Sequence, residues 1–220
     1  MNRIPAIVDA FVKRSVPGRV DLPRGTLLQQ RGDMRLDPDG PWLPFTAEQT
    51  IDADTTGFVW HARVRMAPLV TAVVEDAYEN GQGRLDAKIW GLFSVAHARG
   101  VDVDRGEAER YLAELPWCPL AFLHNPGLQF EERDGDVVRV WVHDPDTYVD
   151  LQFDSEGDIV GARTTTRMRG DVVQPWAGRF RDYRDVGGGL RAPSAGEVWW
   201  EVEGEPFVYW RGEVTSLTWR

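Results

Sequence analysis

A carboxylate one turn from the end of a helix is the residue best placed to do chemistry. Glu114 lies in Arg110-Tyr-Leu-Ala-Glu-Leu-Pro-Trp-Cys-Pro119, just ahead of Pro116-Trp117. Turned into an apolar interior, such a carboxyl keeps its proton to higher pH and serves as a general acid or base. Alternatively, Glu114 is solvated or pairs with Arg110 four residues earlier. That pair runs in the less favourable order, cation first, near the negative end of the helix dipole. The mild local cost argues for a tertiary reason to keep a carboxylate at 114. His61 and Asp76 form a second candidate set. His61 stands beside Trp60 in a strand, Asp76 shares a face of the next strand with Tyr78, and a His–Asp pair orients a general base. Register decides whether His61 and Asp76 meet or whether His61 simply faces solvent.

Ten tryptophans are spread along the chain. Large rings line concave apolar pockets, and Trp60, Trp90, Tyr111, Trp117 and Trp141 are the candidate walls of one. The alternative is that they fill a thick sheet core. Trp199 and Trp200 cannot both point inward on a regular strand, so one of them meets a second layer, a partner or solvent.

Other chemistries find little support. His97, His124 and His143 show no metal-ligand spacing, and the single cysteine, Cys118, reads as a small buried residue between Trp117 and Pro119. No metal and no cofactor is expected. No serine sits in a Gly-x-Ser-x-Gly turn. Gly81-Gln-Gly83 and Gly187-Gly-Gly189 join strand-like segments, whereas dinucleotide binding needs glycines between strand and helix. Arg163, Arg167 and Arg169 with Thr164 to Thr166 form either an anion-binding strip or an exposed sheet face paired with carboxylates.

The elements that must position these residues are mostly strands. Phe58, Trp60, Ala62, Val64 and Met66 alternate with Val59, His61, Arg63 and Arg65, which is period two with one apolar face. Punctuation recurs about every ten residues, at Asp37-Pro-Asp-Gly40, Asn80-Gly-Gln-Gly83, Asp134-Gly-Asp136, Asp144-Pro-Asp146, Ser155-Glu-Gly157 and Gly187-Gly-Gly189. Such spacing implies antiparallel meanders and not βαβ units. Arg84 to Ala98 reads as one extended segment. A short amphipathic helix is expected near residues 2–14, ended by Pro17-Gly18. A second helix is expected over 105–115, with Asp104 and Glu107 as a capping box and Pro116 as its stop. Ala108, Tyr111, Leu112 and Leu115 form its apolar stripe, with Glu107, Arg110 and Glu114 off it.

The whole is expected to be one domain, 1–220: an N-terminal helical segment at 1–18 and a sheet from 25 to 219. The fold class is mainly β, a curved antiparallel sheet or half-barrel wrapped around one central helix, with the N-terminal helix outside. A formal net charge of −10 and a pI near 4.9 oppose non-specific binding to nucleic acid or anionic membranes. Asp9, Lys13 and Arg14 interrupt Ile4 to Ser15, so a secretory leader is not expected, and no run spans a bilayer. A soluble, cytoplasmic protein is expected.

Several blocks together carry a resemblance. They are Pro41-Trp-Leu-Pro-Phe-Thr-Ala-Glu-Gln49, Gly57-Phe-Val-Trp-His-Ala62, Asp76-Ala-Tyr-Glu-Asn-Gly-Gln-Gly83, the Arg110–Pro119 block, Trp176-Ala-Gly-Arg-Phe-Arg-Asp-Tyr183, Gly188-Gly-Leu-Arg-Ala-Pro193 and Tyr209-Trp-Arg-Gly-Glu213. Over about residues 25–215 the chain resembles a bacterial domain family of unknown function, common in actinobacteria. The resemblance implies a curved antiparallel sheet around a helix, similar to the LolA/LolB-like lipoprotein carriers, and brings no catalytic residues with it. Three functions follow as expectations. The first is binding of a lipophilic or aromatic small molecule between sheet and helix. The second is cofactor-independent acid–base catalysis on a hydrophobic metabolite, with Glu114 acting and His61 or Asp76 assisting. The third is a structural or partner-binding role through the Trp199-Trp200 strand.

Overall fold

The alternating segments pair into a thirteen-stranded antiparallel sheet in a computed structural model that describes residues 3–16, 18 and 23–220. Its first half comprises β1 (Gly25–Met34), β2 (Leu43–Asp52), β3 (Phe58–Ala67), β4 (Val70–Glu79), β5 (Gln82–Ile89) and β6 (Phe93–Ala98). Its second half comprises β7 (Gln129–Glu132), β8 (Val137–Trp141), β9 (Tyr148–Phe153), β10 (Ile159–Thr164), β13 (Trp176–Asp185), β14 (Arg191–Val202) and β15 (Glu205–Trp219). A small separate ribbon joins β11 (Met168–Arg169) to β12 (Val172–Val173). Strand order is β6-β5-β4-β3-β2-β1-β15-β14-β13-β10-β9-β8-β7, so the first and last strands pair in the middle. The sheet is strongly curved and does not close into a barrel.

This order explains the helix. The chain leaves the sheet at the edge strand β6 and re-enters at the opposite edge, β7. The connection is helical: α2 (Val101–Ala113), a 3-10 turn at Leu115–Trp117, and α3 (Ala121–His124). It crosses the concave side, where α2 touches β4 and β5 of one half and β8, β9 and β10 of the other. The main core lies between helix and sheet. Tyr111, Leu112 and Leu115 are fully buried there.

Three local expectations are corrected. The helix begins at Val101, not 105, after Gly100 at φ 116°, and no side chain caps it. Asp104 accepts the Gly83 N–H at 2.7 Å instead, and Glu107 turns inward to the core. A tertiary partner has therefore displaced the local capping box. Arg84 to Ala98 is two strands, because Trp90 and Gly91 both take positive φ and turn the chain. The first helix, α1 (Ala6–Ser15), does not lie outside the core. Val8 and Phe11 are fully buried, and Phe11 meets Phe122, Phe153 and Tyr183 edge-on at 6.2 Å each. Pro17, expected to stop it, lies outside the described residues. Among the described residues no helix is long and apolar enough to cross a membrane.

One row of the sheet makes room for the site. Register aligns Phe45, Gly32, Gly212, Gly196 and Phe180 across β2, β1, β15, β14 and β13. The three central positions carry no side chain, so the Trp210 ring lies down over Gly212. The Trp117 ring approaches Gly196 from the helical connection.

Candidate functional site

The helix presents two chemically different buried sides. Ala108, Tyr111, Leu112 and Leu115 pack as an apolar stripe. Glu107, Arg110 and Glu114, spaced three and four apart, share another side that faces β3 and β4. In a lone amphipathic helix this side would face water. Here the curled sheet covers it as well.

Arg110 is the hub. Its guanidinium donates to Asp76 Oδ2 on β4 and, at 2.9 Å, to Glu114 Oε1 at the helix end. It also lies over the rings of Phe58 and Trp60, 4.7 and 5.2 Å from their centroids. Burial works against this cation, but Glu114, Asp76 and Glu107 outweigh it and hold its pKa above the ordinary arginine value. A hydrogen-bonded chain extends from there into the sheet. Gln49 donates to Glu114 Oε2, Gln30 to Gln49 Oε1 at 3.2 Å, and Trp60 Nε1 to Gln30 Oε1 at 2.8 Å. Helix end, β1, β2, β3 and β4 are thus clasped by one polar network. Breaking it from either side strands buried groups.

Glu107 sits deeper. Its carboxyl is pushed up to about 8, first by desolvation and then by the negative charge of Asp76. Arg167 Nη2 stands 3.6 Å from Glu107 Oε1, and its Nη1 donates to the Gly106 carbonyl. Glu107 Oε2 and Asp76 Oδ1 are buried oxygens without a hydrogen-bond partner. Arg167 lies over Trp176 at 4.8 Å, and the Trp176 Nε1 donates to the Tyr209 hydroxyl at 3.0 Å.

Beside this network lies a cavity of about 240 Å³. Its apolar wall includes Trp60, Trp117, Trp176, Trp210 and Phe180. Its polar wall includes Asp76, Arg110, Glu114 and Arg167. Trp117 is fixed by its Nε1 bond to the Pro193 carbonyl at 2.9 Å and its edge-on contact with Phe180 at 5.4 Å.

Of the residues singled out in the sequence, the structure brings Glu114, Asp76, Trp60 and Trp117 to this cavity. It does not bring His61. Register sets Trp60 opposite Asp76 and His61 opposite Glu75, so His61 faces outward, 3.5 Å from Glu75. Trp90 is exposed in the β5–β6 turn, away from the cavity. Tyr111 is fully buried in the helix core, where its hydroxyl donates to the carbonyls of Asp52 and Thr55. Trp141 is half-buried at the end of β8 and does not line the cavity. The Cys118 thiol is buried and pushed up to about 12 by desolvation, unsuited to nucleophilic attack. Trp200 stacks on Tyr209 and Trp199 lies under Arg179, each half-buried on a strand paired on both sides.

The sequence reading missed Glu107, Arg167, Trp176, Tyr209 and Trp210 as site residues. The spacing of Glu107, Arg110 and Glu114 was a usable signal, since three charges on one helix side call for water or for partners. Arg167 was read only as part of an anion-binding strip or an exposed, carboxylate-paired face with Arg163 and Arg169. Its strip divides, with Arg163 going to Glu201 at 3.1 Å and Arg167 going inward.

A search of curated proteins finds no match to the chain. Among solved structures, a domain described as an outer membrane lipoprotein-sorting protein of Vibrio parahaemolyticus superposes with a TM-score of 0.53 at 8% identity, covering 97% of this chain and 91% of that one. A LolA superfamily protein from Nitrosomonas europaea gives 0.49 at 11% identity, covering 100% and 94%. The first of these shows a shared fold, a curved antiparallel sheet over a helix. The family model of a family of unknown function (DUF6920) matches residues 2–219, and the chain belongs to that family.

Proposed function

We propose that the chain binds a lipophilic or aromatic small molecule in the cavity between α2 and the sheet. The observation that carries this is a cavity of about 240 Å³ with tryptophans on its apolar wall and a fixed charged network on the other. Ligand sites combine an apolar enclosure with a few convergent polar groups in this way. The size exceeds the ~150 Å³ apolar cavity that accepts benzene. It fits a bicyclic aromatic or a segment of an acyl chain, not a whole lipid.

Native mass spectrometry of the protein from its own host, with analysis of an organic extract, tests this directly. A retained apolar mass near one per chain is expected. In parallel, 2-naphthol should quench tryptophan emission and raise the melting temperature. Ala113→Phe, which fills the cavity from the helix side, should abolish both effects. A bare mass together with no naphthol effect on the parent protein would sink the proposal.

A second reading rests on Asp76, a residue of the cavity wall whose Oδ1 has no hydrogen-bond partner. A base there, with Glu114 positioned by Arg110 and Gln49, would serve proton transfer on a bound metabolite, the isomerase, cyclase or lyase chemistry expected from the sequence. Solvent deuterium entering the retained molecule, lost in Asp76→Asn but with affinity kept, would select this reading. No exchange with either protein would leave a binder.

A further inference from the structure

A group of exposed apolar side chains gathers at one end of the sheet, away from the cavity. Leu69 is 94% exposed in the β3–β4 turn, and Trp90, Leu92 and Phe93 are 57%, 78% and 62% exposed around the β5–β6 turn. The two turns are tied together. Trp90 N–H donates to the Thr71 carbonyl and Trp90 Nε1 to the Leu69 carbonyl, both at 2.9 Å, while Trp90 and Phe93 meet edge-on at 6.4 Å.

Both turns carry their apolar residue where it is locally least welcome. Leu69 has φ 66° and Trp90 φ 52°. Left-handed turn positions favour Gly, Asn or Asp, and a bulky residue there is strained. The Asn80-Gly81 turn at the opposite end of β4 obeys that rule, with φ 53° and 80°. Leucine and tryptophan at the other two tips are unfavourable in backbone and in hydration alike, which points to a role outside the folded monomer.

Charge identifies the partner. Register places two rows across the outer face below the tips. The farther row is His61, Glu75, Asp86 and His97; the nearer is Arg63, Val73, Lys88 and Ser94, with Arg65 one step closer to the tip. The acids of the farther row are engaged, Glu75 by Arg84 and His61, and Asp86 by Arg99 and His97. Arg63, Arg65 and Lys88 are exposed and make no ion pair among the described residues. A belt of unpaired cations behind a Trp/Leu/Phe tip is the pattern that seats a protein edge in anionic lipid headgroups. A two-fold pairing of this face with a second copy would set the cations against each other.

We propose that the β3–β4 and β5–β6 tips dock onto an anionic lipid bilayer, with Leu69, Trp90, Leu92 and Phe93 entering the interface and Arg63, Arg65 and Lys88 contacting headgroup phosphates. The chain's net charge of −10 opposes such contact at a distance. That repulsion is screened beyond about 8 Å at physiological ionic strength, so at contact the local belt decides. The proposal stands apart from the cavity and survives or fails without it.

Vesicle flotation tests it, using phosphatidylglycerol mixed with phosphatidylcholine against phosphatidylcholine alone. The parent protein should float with the mixed vesicles, less with the neutral ones, and lose binding as salt rises. Leu69→Asp and Leu92→Asp should each weaken partition by about tenfold. Each of Arg63→Gln and Lys88→Gln should weaken it by about fivefold on mixed vesicles only. All four sites are exposed, so unchanged melting temperatures are expected and certify folding. A parent protein that floats with neither vesicle overturns the proposal. So do leucine variants that bind as the parent does. A concentration-dependent dimer abolished by Leu69→Asp, without flotation, overturns it in favour of self-association.

Discussion

Glu107→Gln should make the protein more stable at neutral pH, although it alters a buried acidic residue. The folded-state carboxyl is pushed up to about 8 from an ordinary value of 4.5, so the native state holds its proton more tightly than the unfolded chain does. The stability this contributes is fully present below pH 4.5 and is lost as pH rises through 8, where the folded carboxyl at last ionises between Asp76 and Glu114. One proton over this window changes stability by roughly 1.4 kcal/mol per pH unit. From pH 4.5 to 7 the loss comes to about 3 kcal/mol, a large part of a typical stability of about 5–15 kcal/mol. Glutamine copies the protonated acid in shape and carries no such dependence. Parent and variant should therefore match in stability near pH 4.5 and diverge by about 3 kcal/mol at pH 7, the variant being the more stable. Urea unfolding at half-unit steps measures the difference, and contributions from other titrating groups cancel in it. Parallel curves, or a variant weaker than the parent at pH 7, would refute the claim that Glu107 is a proton-holding carboxyl enclosed by helix and sheet.

Removing the hub should do the reverse. Arg110→Met leaves Asp76 and Glu114 buried without their cation and should cost about 3–5 kcal/mol in urea unfolding, part of it recovered when Asp76→Asn and Glu114→Gln are added. Gly32→Ala would set a methyl group on the Arg211 carbonyl of the paired strand, where only backbone could yield. A loss of about 2 kcal/mol or more is expected, and a fully stable variant would dismiss the glycine row as a packing requirement. Cys118 should resist a disulfide-exchange reagent in the native protein and react once per chain after unfolding, because its thiol is buried and pushed up to about 12. Rapid native labelling would contradict that burial.

Period-two patterning and Gly/Asn/Asp/Pro punctuation were enough, from the sequence, to specify a large antiparallel sheet. Those signals are local, set by which backbone angles each residue accepts and which face of a strand it wets. Tyr148–Phe153 begins and ends where the alternation does. The helix was legible from its 3.6-residue stripe, and Glu114 from its odd placement beside Arg110. What only the tertiary structure decided is the company these residues keep. A slip of one residue exchanges the faces of a strand, and register alone gave Asp76 to Trp60 and Arg110 while leaving His61 outside. The sheet's curl covered the polar side of α2, turning Glu107 from a helix cap into a buried acid. The route from one sheet edge to the other brought Trp117 on the helical connection against Phe180 and Gly196, residues 63 and 79 positions away, to close the cavity. Strand pairing and sheet closure depend on contacts far apart in the chain, and no window of neighbouring residues carries them.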